Sequence, residues 1–298
     1  MKTRTLLTHL LVITLFLVPF SACQNKKEQA SEKLKTNRGE PGKLHQQQFI
    51  KKLETVNPGL KDPSGIVNLI QMTGAGFIPD LVNDSGMDSY YLEDSARAVI
   101  NLGVYTVDLV YLLTYQQDEK ADIFLEKARL IAEKIGVGHL YDHGMYSRYR
   151  AAGVHSDTLI KYFSKSAESL EHEFREMELL RLSTLFATGE FIEKLHLTTS
   201  LLVNADKEDL DHYWTIMILV FQQEEALDNL ILLLEQIRGD EEGERFMAMM
   251  KDLKQLYTEL NSSNEMAGIN AHNITDNQIF IDLVDHLGRV RNYIIQPE

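Results

Sequence analysis

Ala96-Arg97-Ala98-Val99-Ile100-Asn101-Leu102-Gly103-Val104-Tyr105-Thr106-Val107-Asp108-Leu109-Val110-Tyr111-Leu112-Leu113-Thr114-Tyr115 is the stretch that decides the fold class. Apolar residues occupy every phase of a 3.6-residue turn, so a helix built from it has no polar side to offer water and belongs in the middle of a helical array. Leu179 to Leu202 reads the same way. Tyr213 to Phe221 is equally dense but far too short to span a bilayer. Outward from these, the periodicity becomes one-sided. Ala121, Phe124, Leu125, Ala128, Ile131, Ala132 and Ile135 recur at steps of three and four between an expected N-cap at Asp118 and a stop at Gly136. Phe246, Met249, Met250, Leu253, Leu256, Tyr257 and Leu260 repeat the pattern, as do Ile279 or Phe280, Leu283, Leu287, Val290 and Ile294. Arg289 and Arg291 fall near the end of that last helix, where cations suit its dipole. No stretch alternates with period two for long. The expectation is an all-α fold, a multi-helix array or bundle of about eight to ten helices. Breaks are expected at Asn57-Pro58-Gly59, Gly136 to His155, Asn204 to Lys207, Gly239-Asp240 and Asn261 to Thr275.

Two glycines interrupt the most apolar helices. A mid-helix glycine costs about 1 kcal/mol against alanine and marks a close helix crossing when it is kept in a core. Gly103-Val104-Tyr105 aligns with Gly189-Glu190-Phe191, and Leu109 then aligns with Leu195. The match reads either as an internal repeat about a pseudo-two-fold axis or as coincidence between apolar helices.

The N-terminus carries an address. Lys2 and Arg4 precede an apolar run from Leu6 to Val18, about thirteen residues, which suits a signal peptide and is short for a spanning helix. Pro19 ends it, and Phe20-Ser21-Ala22-Cys23 resembles the lipobox of bacterial lipoproteins, with Phe20 where leucine is usual. The resemblance implies cleavage before Cys23 and acylation of its thiol and new amino group. Cys23 is the one cysteine of the 298-residue chain, so the mature protein holds no internal disulfide although it is read as exported. Gln24 stands where an inner-membrane retention signal often has aspartate, which by the same resemblance favours the outer membrane. Residues 24–45 have almost no large apolar side chains and cannot offset their ordering entropy by burial. Lys26, Lys27, Lys33, Lys35, Arg38 and Lys43 there outnumber Glu28, Glu32 and Glu40. The whole chain is nonetheless at −14, so the remainder is strongly acidic and repels phosphate polymers. The expected organisation is a signal peptide over 1–22, a lipidated flexible tether over 23–45, and an all-helical globular domain over 46–298.

Three further segments carry a resemblance: Asn101 to Leu112, Thr188 to Leu195, and Asp228 to Glu235. They look like segments of uncharacterised all-helical lipoproteins of Gram-negative bacteria, which usually have Gly and Trp where this chain has Glu190 and Phe191. That resemblance implies a helical domain and a lipid anchor, and brings no activity with it.

Candidate chemistry is sparse. Glu193-x-x-His196 and Asp209-x-x-His212 place a carboxylate and an imidazole on one helix face, the spacing used in di-iron bundles, with Glu190, Glu224 or Glu225 to complete such a set. Interhelical hydrogen bonding explains the same spacing. Gly138 to Arg150 gathers His139, Tyr141, His143, Tyr146, Arg148 and Tyr149 in a segment between helices, a composition that suits ligand or partner binding as well as packing. His139, Asp142 and His143 have no further ligand at metal-site spacing. No phosphate loop, dinucleotide fingerprint, Gly-x-Ser-x-Gly or His-Glu-x-x-His occurs. The expectation is a membrane-anchored envelope module that binds a protein or small ligand, without enzymatic activity, cofactor or nucleic acid. The alternative is a metal-dependent helical enzyme using Glu193 and His196.

Overall fold

The computed structural model describes residues 76–84, 86, 88–176, 179–205, 210–267 and 271–296. The signal peptide, Cys23, the tether and the Asn57-Pro58-Gly59 break lie outside them. The described residues hold nine α-helices and no strand: α1 (Asp88–Tyr91), α2 (Ser95–Thr114), α3 (Asp118–Lys134), α4 (His143–Ala151), α5 (Ser156–Glu176), α6 (Leu180–Asn204), α7 (Leu210–Leu234), α8 (Glu241–Ala267) and α9 (Gln278–Ile295). The all-α expectation holds, and the helix number falls in the expected range. All nine lie in one compact unit, Ile50–Glu298.

α2 and α6 form the centre, packed on each other more extensively than any other pair. α3 and α5 pack on α2. α6, α7, α8 and α9 close a ring in which each touches the next and α9 returns to α6. α2 is long and apolar enough to cross a membrane, but 94% of its apolar window is buried inside the protein, which makes it a core helix. Three threonines of these two helices are accommodated locally. Thr106 Oγ1 donates to the Leu102 carbonyl, Thr188 to Thr184, and Thr199 to Leu195. Such back-bonding one turn earlier lets threonine sit in an apolar helix without an orphaned donor.

Helix ends follow local chemistry. The Asp94 carboxylate caps α2 by accepting from the amides of Ala96 (2.7 Å) and Arg97 (3.0 Å). Asn277 caps α9 in the same way. Gly136 and Gly239 stop α3 and α7's trailing turn at φ of +85° and +86°, the left-handed region that glycine reaches without a Cβ clash.

Four expectations are corrected. Asp118 is the first residue of α3 rather than its cap; Gln117 holds the cap position with no side-chain bond to the helix. The break after Gly136 contains α4, because Tyr141 and Tyr146 are drawn into the core and the chain between them coils to bring them there. α8 runs past Asn261 to Ala267. Asn261 turns sideways to donate to Glu224, and Ser262 Oγ bonds back to the Thr258 carbonyl, so neither terminates the helix. Arg291 does not cap the α9 dipole at the surface; it is buried on the apolar face of that helix.

Gly103 and Gly189 mark the crossing of α2 and α6. A Cβ on Gly103 would run into the Phe186 carbonyl and stand 2.8 Å from the Glu190 amide nitrogen. A Cβ on Gly189 would run into the Ile100 carbonyl. Each glycine therefore faces the carbonyl three residues before the other, and the obstacles are backbone. Overpacking of this kind costs about 1–3 kcal/mol, more than the propensity gain of about 0.5–1 kcal/mol from leaving glycine. For a domain of this size each kcal/mol is worth about 2–4 °C. Gly103→Ala and Gly189→Ala should each lower the melting temperature. A rise in both would show that the helices are not in backbone contact here.

Candidate functional site

The buried ionisable groups converge beneath one extended piece of chain. Residues 76–84 cross the body as a strap with a single 3-10 turn at Pro79–Leu81, which packs on α6. A strap without helix or sheet must find partners for its amides and carbonyls elsewhere. Side chains of the helices supply them. Tyr111 on α2 accepts from the Ile78 amide (3.1 Å), and the Phe77 ring lies against Tyr111 and Tyr115. Arg291 on α9 donates to the Leu81 carbonyl (3.0 Å), and the His196 imidazole on α6 lies near the same carbonyl. Asp108 on α2 accepts from the Asn83 amide (3.0 Å). Tyr105 on α2 donates to the Asp84 carbonyl (3.1 Å). The Asn83 side chain donates to Tyr91 (3.0 Å), whose hydroxyl donates to the Ile295 carbonyl (2.9 Å).

Under the strap sits an ion pair. Arg291 Nε and Nη2 donate to the two oxygens of Glu193 at 2.6 and 2.8 Å, a bidentate fork. Glu193 is wholly buried and Arg291 is 7% exposed. Asp108 is also wholly buried beside Glu193. Burial, then the neighbouring Glu193, push the Asp108 carboxyl well above the usual range against the opposing pull of Arg291 and the Asn83 amide. Burial pushes His196 down to about 4, so its imidazole is neutral near pH 7. Glu190, one turn before Glu193, is buried facing Tyr141 and Lys194.

Of the residues expected to bind a metal, Glu193 and His196 are placed together, but Glu193 gives both oxygens to Arg291. A cation here would have to displace a guanidinium, and the geometry assigns this acid to an ion pair. Asp209 and the His212 side chain lie outside the described residues. Glu224 is taken up by Lys254 and Asn261 of α8, and Glu225 is exposed. Among the described residues no group of three His, Cys, Asp or Glu is arranged to hold a metal.

The second candidate set divides. Tyr141 and Tyr146 are core residues: Tyr141 shares a 2.8 Å hydrogen bond with Thr106, and Tyr146 packs on Phe163 of α5. His139 and Arg148 are exposed, at 3.4 Å from Glu173 and 3.6 Å from Asp142, and Tyr149 is half-buried against Tyr162. The His143 side chain lies outside the description. A separate surface cleft opens between α2, α8 and α9, walled by Tyr90, Phe246 and Tyr293, with Arg97 stacked on Tyr90 and Glu242 bonded to Tyr293.

Sequence reading passed over Asp108 and Arg291. The signal for each was present: Asp108 is the one acid inside the most apolar helix, and Arg291 falls on the apolar stripe between Leu287 and Ile294. No protein-family model matches the chain, no curated protein matches it, and no solved structure matches it.

Two measurements probe the cluster. Removing one member of a buried ion pair costs about 3–5 kcal/mol, whereas replacing both by apolar groups is far milder. Arg291→Met and Glu193→Leu should each destabilise strongly in urea unfolding, and the double variant should lose much less than the sum; simple additivity would mean the pair is not coupled. For His196 the folded pKa lies below the unfolded value of about 6.5. Between that value and about 4 the unfolded chain takes up a proton that the folded one refuses. The His196 contribution to stability should therefore be complete above pH 6.5 and be lost as pH drops through this window. His196→Gln removes the titration, so the stability difference between wild type and variant should shrink as pH falls from 6.5 to about 4; a difference independent of pH would place the titration elsewhere.

Proposed function

We propose that the chain is a lipid-anchored helical interaction module of the bacterial cell envelope, held at the outer membrane through Cys23. The observation that carries this reading is the N-terminal succession of Lys2 and Arg4, the apolar run Leu6 to Val18, and Ser21-Ala22-Cys23, ending on the chain's one cysteine. Acyl chains on that residue hold by about 0.8 kcal/mol per buried CH₂, and more than one chain makes anchoring stable. The basic tether that follows favours anionic headgroups, while the acidic remainder keeps the body off them. The buried cluster supports a binding rather than a catalytic role, since its side chains are spent on the backbone of the strap. The partner-facing groups are then the exposed His139 and Arg148 with the half-buried Tyr149, at the edge of α4.

Cys23→Ser should abolish acylation and leave the protein soluble or as an uncleaved precursor. Normal membrane retention with no change in mass would end the lipoprotein reading. A photoreactive residue at position 148 should give discrete crosslinked species in intact cells, and none would be expected from one placed at the buried position 146.

A further inference from the structure

We propose that Asp108 is a neutral carboxylic acid in the folded protein, that its proton bridges to Glu193, and that loss of this proton unlatches the strap 76–84 from the helical body. The geometry requires a shared proton. One Asp108 oxygen accepts from the Asn83 amide, and the other meets no N–H or O–H donor among the described groups. Its charged neighbour is the Glu193 carboxylate, another acceptor. Two carboxylates buried side by side repel unless a proton lies between them. Charge gives the same answer. Two carboxylates and one guanidinium are buried together, and Glu193 already holds that guanidinium by both oxygens. With Asp108 neutral the cluster has no net charge; with Asp108 ionised it buries an unbalanced anion.

The groups around Asp108 leave the strap as the weak wall. From α6 it faces Glu193, with His196 one turn on; from α9 it faces Arg291; from α1 Tyr91; and on its own helix Tyr111. α2, α6 and α9 are long packed helices. The strap is held by hydrogen bonds at Ile78, Leu81, Asn83 and Asp84, and those at Leu81 and Asn83 come from the cluster itself. Lifting the strap lets water reach Asp108, which releases its proton to solvent and stays hydrated as a carboxylate. Opening thus costs least where the pH favours the anion. The sign is fixed by linkage. The closed form holds a proton that the open form gives up, so the opening constant climbs about tenfold per pH unit above the open-state pKa and levels off once Asp108 ionises in the closed form too. Stability of the closed strap is full in acid and is lost as pH rises.

Asp108→Asn separates this from its rivals. The amide oxygen can still accept from Asn83, the amide nitrogen can donate to Glu193, and no charge can form. Hydrogen exchange of the strap amides is compared between the full-length wild type and Asp108→Asn in detergent at a series of pH values. The wild-type to variant ratio, in which intrinsic exchange chemistry and His196 cancel, should rise about tenfold per pH unit and then level. A flat ratio overturns the proposal. Infrared spectroscopy with isotope-labelled aspartate gives an independent reading. Asp108 is the one buried aspartate among the described residues, and a protonated-carboxyl band at neutral pH that is lost in Asp108→Asn belongs to it. The band should disappear at the pH where strap exchange levels. Its absence, or a disappearance out of step with the strap, also overturns the proposal.

Discussion

Two helices cross at Gly103 and Gly189 with backbone against backbone, and the rest of the core is arranged around that contact. The crossing sets how far apart residues one turn further along can stand. Asp108 lies five residues past the first glycine and Glu193 four past the second, so the same approach that lets the backbones touch brings two acids face to face. Neither could be buried there alone. Arg291 enters from α9 to neutralise one of them, and a proton is the cheapest charge available for the other. The close packing of apolar helices and the polar cluster are in this sense one constraint: change the crossing distance and the acids no longer share their surroundings.

A buried ion pair is weak evidence for stability, since desolvation of both partners offsets most of the attraction. Its value here is in what it orders. Arg291 spends two donors on Glu193 and reaches the Leu81 carbonyl through the same nitrogen that binds Oε1. Asp108 adds a partner for the Asn83 amide. An extended segment cannot satisfy its own backbone, and no sheet is present among the described residues to do it. The polar residues in the middle of the protein are therefore the surroundings that a strap of backbone requires, and an apolar core of the same shape would have left those groups orphaned.

How much of this could be read from the sequence depends on the length scale of the interaction. Helix periods are local, and residues such as Phe124, Leu125 and Ala128 reported the buried face of α3 without error. The glycines were legible for the same reason: an expensive residue in the middle of a strong helix needs a contact to explain it. The failures were at places where a distant partner changes what a residue does. Asn261 looks like a stop signal until Glu224 of the next helix engages its side chain. Tyr141 and Tyr146 look like binding groups until Thr106 and Phe163 are found beside them. Glu193 and His196 share a helix face as the spacing requires, but the group that decides their chemistry comes from Arg291, and no local pattern joins the two.

The order in which the chain is made gives these separations a further meaning. Arg291 meets Glu193 across 98 residues and Leu81 across 210, and Tyr91 reaches the Ile295 carbonyl across 204. Until the last helix emerges from the ribosome, Glu193 has no counter-ion and the strap lacks one of its donors, so the centre of the molecule cannot close. Contacts this distant in sequence also form slowly, because loop closure must be completed before they reward it. A growing chain thus lacks this ion pair until α9 exists. On the export route proposed above, a chain threaded across a membrane would lack Arg291 until α9 followed, and premature folding would then be a matter of missing parts rather than of restraint by others.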